Sequence, residues 1–72
     1  MGHRIESELV ANVIAVHVTA GQQVAVGDEL VLLESMKMEI PVLTEASGVI
    51  AEVKVSAGDV VQEGEVLVVI DD

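Results

Sequence analysis

Slid against itself by 37 residues, the chain aligns Ala11 to Glu34 with Gly48 to Asp71 without a gap, and eight positions are identical. They are Val16/Val53, Val18/Val55, Ala20/Ala57, Gly21/Gly58, Val24/Val61, Gly27/Gly64, Leu30/Leu67 and Val31/Val68. Others are close in kind, among them Val13/Ile50, Thr19/Ser56, Asp28/Glu65 and Leu33/Ile70. Internal similarity of this regularity constrains the fold more than any single residue does. Neither copy is large enough to bury its own apolar face, so the two must close one core together. The simplest way is a pseudo-two-fold axis between them. A flattened β-sandwich, one domain over residues 1–72, is the expectation.

Each copy reads as strand, glycine-punctuated loop, strand. Val49, Ala51, Val53 and Val55 alternate with Ile50, Glu52 and Lys54 at the period of a half-buried strand, and Ile14, Val16 and Val18 repeat the pattern. The loops Gly21 to Gly27 and Gly58 to Gly64 put glycine where the backbone must turn sharply and a valine between to tuck inward. Leu30 to Glu34 and Val66 to Ile70 then return as inner strands. With 72 residues and no Phe, Tyr, Trp or Cys, the core must be thin and made of Val, Leu, Ile and Ala, residues of which the β-branched ones favour strands.

Charge narrows the function. Thirteen acidic residues against three basic ones give a net charge of -10, which repels phosphate backbones and anionic lipid, and no aromatic side chain can stack on a base. Nucleic acid and membrane are therefore not expected as partners. The longest apolar runs, Leu30 to Leu33 and Val66 to Ile70, fall far short of the roughly 20 residues that span a bilayer. With no signal-peptide pattern at the start, a cytoplasmic protein is expected, and no function is attached to Met1-Gly2-His3. His3 and His17 are isolated and there is no thiolate, so no metal site is expected. No nucleophile and base pair and no phosphate-cradling loop can be found, so the chain reads as a non-enzyme.

One segment stands outside the repeat. In Glu34-Ser35-Met36-Lys37-Met38-Glu39-Ile40, one of only two lysines lies between the only methionines besides Met1. Adding 37 to Lys37 lands just beyond Asp72 and subtracting it lands just before Met1, so the symmetry mate of this region is the pair of chain ends. Lys37 should project from one pole while both termini lie at the other. Local propensity would draw a helix through Leu32, Met36 and Ile40, whereas Pro41 and the shortness of the segment oppose one. A tight turn here would lack the Asn or Gly that positive φ prefers. Methionine is usually a gap-filler in cores, but neither Met36 nor Met38 can be deeply buried beside a turn apex. Lys54 lies mid-strand without methionine neighbours and is expected to stay unmodified, and His17 reads as an outward strand residue.

The Met36-Lys37-Met38 run resembles the attachment motif of biotin carboxyl carrier domains. From about Glu6 to Asp71 the chain is similar to the biotinyl/lipoyl attachment family, including its Gly-Asp-x-Val, Gly-x-x-Leu and Ser-Gly-Val spacings. The resemblance implies an all-β barrel-sandwich hybrid of two small antiparallel sheets, with Lys37 at the tip of a hairpin between strands 30–36 and 38–44. It also implies covalent biotin on Lys37, attached by a biotin protein ligase that recognises Met36, Met38 and Glu34, and partnership with biotin carboxylase and carboxyltransferase components. There is no room before Gly27 for the extra loop that some family members carry, so the chain resembles the thumbless kind and leans towards propionyl-type or other carboxylases. A lipoyl carrier, which usually shows Asp-Lys-Ala at the tip, and an unmodified interaction module of the same fold are the alternatives. A closed sandwich with few exposed edges is expected to be a monomer.

Overall fold

The computed structural model describes residues 2–72, and every regular element among them is a strand. In chain order these are β1 (Gly2–Glu6), β2 (Ala11–Val16), β3 (Gln23–Val24), β4 (Glu29–Ser35), β5 (Met38–Leu43), β6 (Gly48–Val53), β7 (Val60–Val61) and β8 (Val66–Asp71). They form two antiparallel four-stranded sheets, ordered β5-β4-β2-β7 and β1-β8-β6-β3. The first carries Lys37 and is called here the lysine sheet; the second carries both chain ends and is the terminal sheet.

The 37-residue offset maps one sheet onto the other pair by pair. Glu34 faces Glu39 as Asp71 faces Gly2, Leu33 faces Ile40 as Ile70 faces His3, and Val31 faces Val42 as Val68 faces Ile5. The repeat therefore extends to β1 and β5, where the sequence shows little identity. Its corners are built alike. The Ser7 N–H donates to the Glu65 carbonyl (2.9 Å) and the Thr44 N–H to that of Asp28 (3.0 Å). Gly64 and Gly27, at φ 85 and 95, return N–H donors to the Ser7 and Thr44 carbonyls, each at 2.8 Å. Both hydroxyls are buried and donate two residues on, Ser7 to the Leu9 carbonyl and Thr44 to that of Ala46, each at 2.6 Å.

Burial follows the same symmetry. Val24 and Val61 tuck in from the loops, and Leu30/Leu67, Val31/Val68 and Leu33/Ile70 on the two inner strands are almost wholly enclosed. The expected alternation on β2 and β6 holds only in part. Ile14 and Ala51 face out, while Val13 and Ile50 are buried. The reason is a β-bulge in each strand: Val13 faces Leu33 but Ala15 faces Leu32, and Ile50 faces Ile70 but Glu52 faces Val69. The extra residue changes the phase, so the buried set moves from Val13 to Val18, and from Ile50 to Val55, across an apparent break in period. Lys54 and His17, expected within strands, each lie just past the end of one.

β4 and β5 are joined by Met36 and Lys37 alone, because Ser35 pairs with Met38. β4 thus ends one residue sooner at the tip than expected, leaving Met36 in the turn, while β5 begins at Met38 as expected. Met36 and Lys37 have φ of 52 and 64, the signature of a type I′ hairpin turn, and they are the non-glycine residues with positive φ among those described. No helix forms here, and Pro41 is accommodated on an edge strand, where its missing donor costs no ladder bond. From the tip, β5 runs about 17 Å before the chain crosses at Thr44 into β6. Gly48, the first residue of β6, abuts the backbone of Asp71, and His3 Nε2 lies 2.9 Å from Asp72 Oδ2. The chain ends thus gather at the pole remote from Lys37 of a body 33 Å long. Four strands remain as sheet edges, β1 and β5 being the long ones, so the sandwich is more open than expected.

Two stability measurements check this geometry. A Cβ at Gly48 would collide with the Asp71 carbonyl, so Gly48→Ala should lower unfolding free energy by about 3 kcal/mol in urea titration; wild-type stability would contradict the close approach. Met36→Asn should raise stability by about 1 kcal/mol, since asparagine tolerates the left-handed region at smaller cost; a loss of stability would contradict the turn type.

Candidate functional site

The tip is organised by what lies beneath it. Leu33 and Ile40 face each other and pack inward, Glu34 and Glu39 face each other and point out, and Ser35 and Met38 close the turn. Lys37 stands at the apex, exposed, and its amine takes part in no hydrogen bond or ion pair among the described residues. Met36 is 89% exposed and Met38 60%, so neither fills a gap in the core. Two soft, uncharged side chains thus stand free on either side of one unpaired cation.

The second lysine is placed differently. Lys54 follows β6 in an extended segment, its N–H donates to the Leu67 carbonyl (2.9 Å), and its amine lies 3.4 Å from Glu52 Oε2. Geometry therefore separates the two amines as sharply as sequence context does. His17, exposed, has Nε2 2.7 Å from Glu29 Oε2 on the lysine sheet.

Glu34, singled out from the sequence, is exposed one row behind the tip, with the carboxylate of Glu39 directly across from it and Asn12 on its other side. Like charges placed directly opposite on a sheet destabilise it by a few tenths of a kcal/mol, roughly. The pairing depends on strand register, which is why composition and spacing alone gave Glu39 no distinct role. The connection from β2 to β4 has the same length as its mate from β6 to β8, residues 17–28 against 54–65, so no inserted segment reaches towards the tip.

Away from the tip, a groove of about 320 Å³ runs between the edge strands β1 and β5, with Ile5, Leu9, Ile40 and Val42 in its lining and Arg4, Glu6, Glu8 and Glu45 around them. No group of three His, Asp or Glu side chains among the described residues could hold a metal ion. No described helix is long and apolar enough to cross a membrane. What the tip offers chemically is a single accessible primary amine, suited to acylation, on a rigid two-stranded support.

Comparison with known proteins agrees with this geometry. Residues 2–70 match the family described as "Biotin-requiring enzyme". A "Biotinylated protein TB7.3 homolog" of Mycobacterium leprae is 51% identical over 70 residues, which cover 97% of this chain and 99% of that one. Among solved structures, the urea carboxylase of Kluyveromyces lactis superposes with a TM-score of 0.91 at 27% identity, over 99% of this chain and 6% of that one. The lipoyl domain of the 2-oxoglutarate dehydrogenase complex from Azotobacter vinelandii superposes at 0.75 with 35% identity, over 88% of this chain and 80% of that one. Matched by the family over nearly its whole length, and half identical to a relative from end to end, the chain belongs to the biotin/lipoyl attachment family of small carrier domains.

Proposed function

We propose that Lys37 is biotinylated by a biotin protein ligase, and that the domain then serves as the mobile carrier of a biotin-dependent carboxylase, passing between biotin carboxylase and carboxyltransferase components. The observation that carries this reading is the unpaired amine of Lys37 at the apex of a positive-φ turn, between two exposed methionines. It is supported by the biotinylated relative and by the likeness to a domain inside urea carboxylase.

The chemistry asked of the chain is small. Nζ of Lys37, once a proton has been removed by the ligase, attacks the acyl carbon of biotinyl-adenylate; an amide forms, the acyl phosphate bond breaks and AMP leaves. Bound biotin would supply a ureido ring able to carry an activated carboxyl group. The chain's own part is positional. The two-residue turn holds the amine clear of both sheets, and the absence of any inserted loop near it leaves the arm ungripped. Tethering raises the effective concentration of the arm at each enzyme it meets. A charge of -10 opposes self-association, which suits a monomer moving among partners in the cytoplasm.

Lipoylation is the competing modification, favoured by the likeness to a lipoyl domain and opposed by the methionines at the tip. Co-expression with a biotin ligase tests the choice. Intact mass should rise by one biotinyl group, peptide mapping should place it on Lys37, and Lys37→Arg should abolish it. A label on Lys54, or a lipoyl adduct when both ligases are present, would contradict the proposal.

A further inference from the structure

Below the tip the internal symmetry supplies a control for the surface residues, because positions 11–16, 29–34 and 39–43 of the lysine sheet have counterparts in the terminal sheet with a matching strand register. On the outer face of the lysine sheet, Ala15, Leu32 and Pro41 lie directly across from one another on three adjacent strands. Ile14, 38% exposed at the bulge, and Leu43, 50% exposed on the edge strand, adjoin them. The counterparts in the terminal sheet are Glu52, Val69 and Arg4 across the row, with Ala51 at the bulge and Glu6 on the edge strand. Three apolar positions in one half, Ala15, Pro41 and Leu43, are charged in the other. The fold accepts charge there, so the apolar row on the lysine sheet is not a requirement of folding.

What lies beside the row narrows the occupant. Between it and the tip stand the opposed carboxylates of Glu34 and Glu39, neither of which has an ion-pair partner among the described residues. Beyond it stands Glu29, beside His17. A second copy of the chain would bring a like carboxylate row and a further charge of -10 against this face, so the complementary surface is apolar with a basic margin and belongs to another protein.

We infer that this face, centred on Ala15, Leu32 and Pro41, is where the enzyme that modifies Lys37 docks. The inference rests on the biotinylation reading for the identity of that enzyme. A ligase must bring its activated acyl group to the amine itself, before any arm exists, and so must sit against the tip and the adjoining sheet. Enzymes that use the finished arm can meet its far end instead. Leu32 lies three residues from the end of β4, about 10 Å along the strand, so the row falls within the patch of about 800 Å² that a partner seated on the tip covers in an ordinary interface.

The symmetry also designs the test. The triple variant Ala15→Glu, Pro41→Arg, Leu43→Glu gives the lysine sheet the residues its counterpart already carries. Steady-state biotinylation by a biotin ligase should show KM raised about 10- to 100-fold with kcat unchanged, while acylation of Lys37 by a small activated ester proceeds at the wild-type rate. Glu6→Leu with Glu52→Ala on the terminal sheet should leave KM unchanged. Amide hydrogen exchange of the wild-type domain mixed with ligase gives a readout that needs no variant: protection over residues 14–16, 31–34 and 39–43, and none over 51–53. A wild-type KM in the triple variant, or protection absent from those segments while wild type is labelled, overturns the docking face and leaves the biotinylation reading standing. Failure of wild type to be labelled removes both.

Discussion

Burial of Leu30, Val31 and Leu33 fixes the register of β4 against β5, and the tip follows from that register. A slip of one residue would turn Val31 and Leu33 towards solvent and Leu32 and Glu34 towards the core. With the register held, Ser35 must face Met38, and only Met36 and Lys37 remain to reverse the chain. Two residues can do so smoothly on a right-twisted hairpin only with positive φ at both, which L side chains resist by roughly 1–2 kcal/mol each. The core therefore holds a strained turn that the local sequence would not form unaided.

That dependence is suited to a carrier. A flexible loop would let the Lys37 amine fold back against the many carboxylates of this surface, whereas a two-residue turn keeps it at one end of the molecule. The chain ends gather at the opposite pole, beside Gly48, so that anything joined to or resting on them stays clear of the tip. The opposed carboxylates of Glu34 and Glu39 are slightly unfavourable for the isolated fold, and with the exposed methionines they lie within three residues of Lys37. Such features are concentrated at one pole, and the other half of the repeat shows that the positions below the tip can be filled otherwise.

Much of this was legible in the sequence, and the failures have identifiable causes. The repeat and the glycine loops gave the two-sheet body because identical residues, Leu30/Leu67 and Val31/Val68 among them, hold the deepest places in the core. The Met36-Lys37-Met38 run singled out a candidate amine because nothing else in a chain of two lysines competes with it, and the structure places that amine exposed at a hairpin apex. The outward turn of Ile14 and Ala51 was hidden, since a bulge breaks the two-residue period without changing residue type. β1 and β5 escaped the repeat because edge strands meet the core with fewer side chains and so preserve less likeness, leaving Ser7/Thr44 and Ile5/Val42 as faint traces. The contrast between the two outer faces needed register, because only pairing shows that Ala15, Leu32 and Pro41 form one row.

The central claim is that the folded core, rather than the run of residues around Lys37, creates the attachment site. The most direct measurement compares kcat/KM of a biotin ligase for the intact domain and for a linear peptide spanning residues 29–43. An isolated hairpin is marginal in water and must itself meet the cost of two left-handed residues, so the peptide should be modified about 100-fold less efficiently. Equal efficiency on the peptide and the domain would contradict the account.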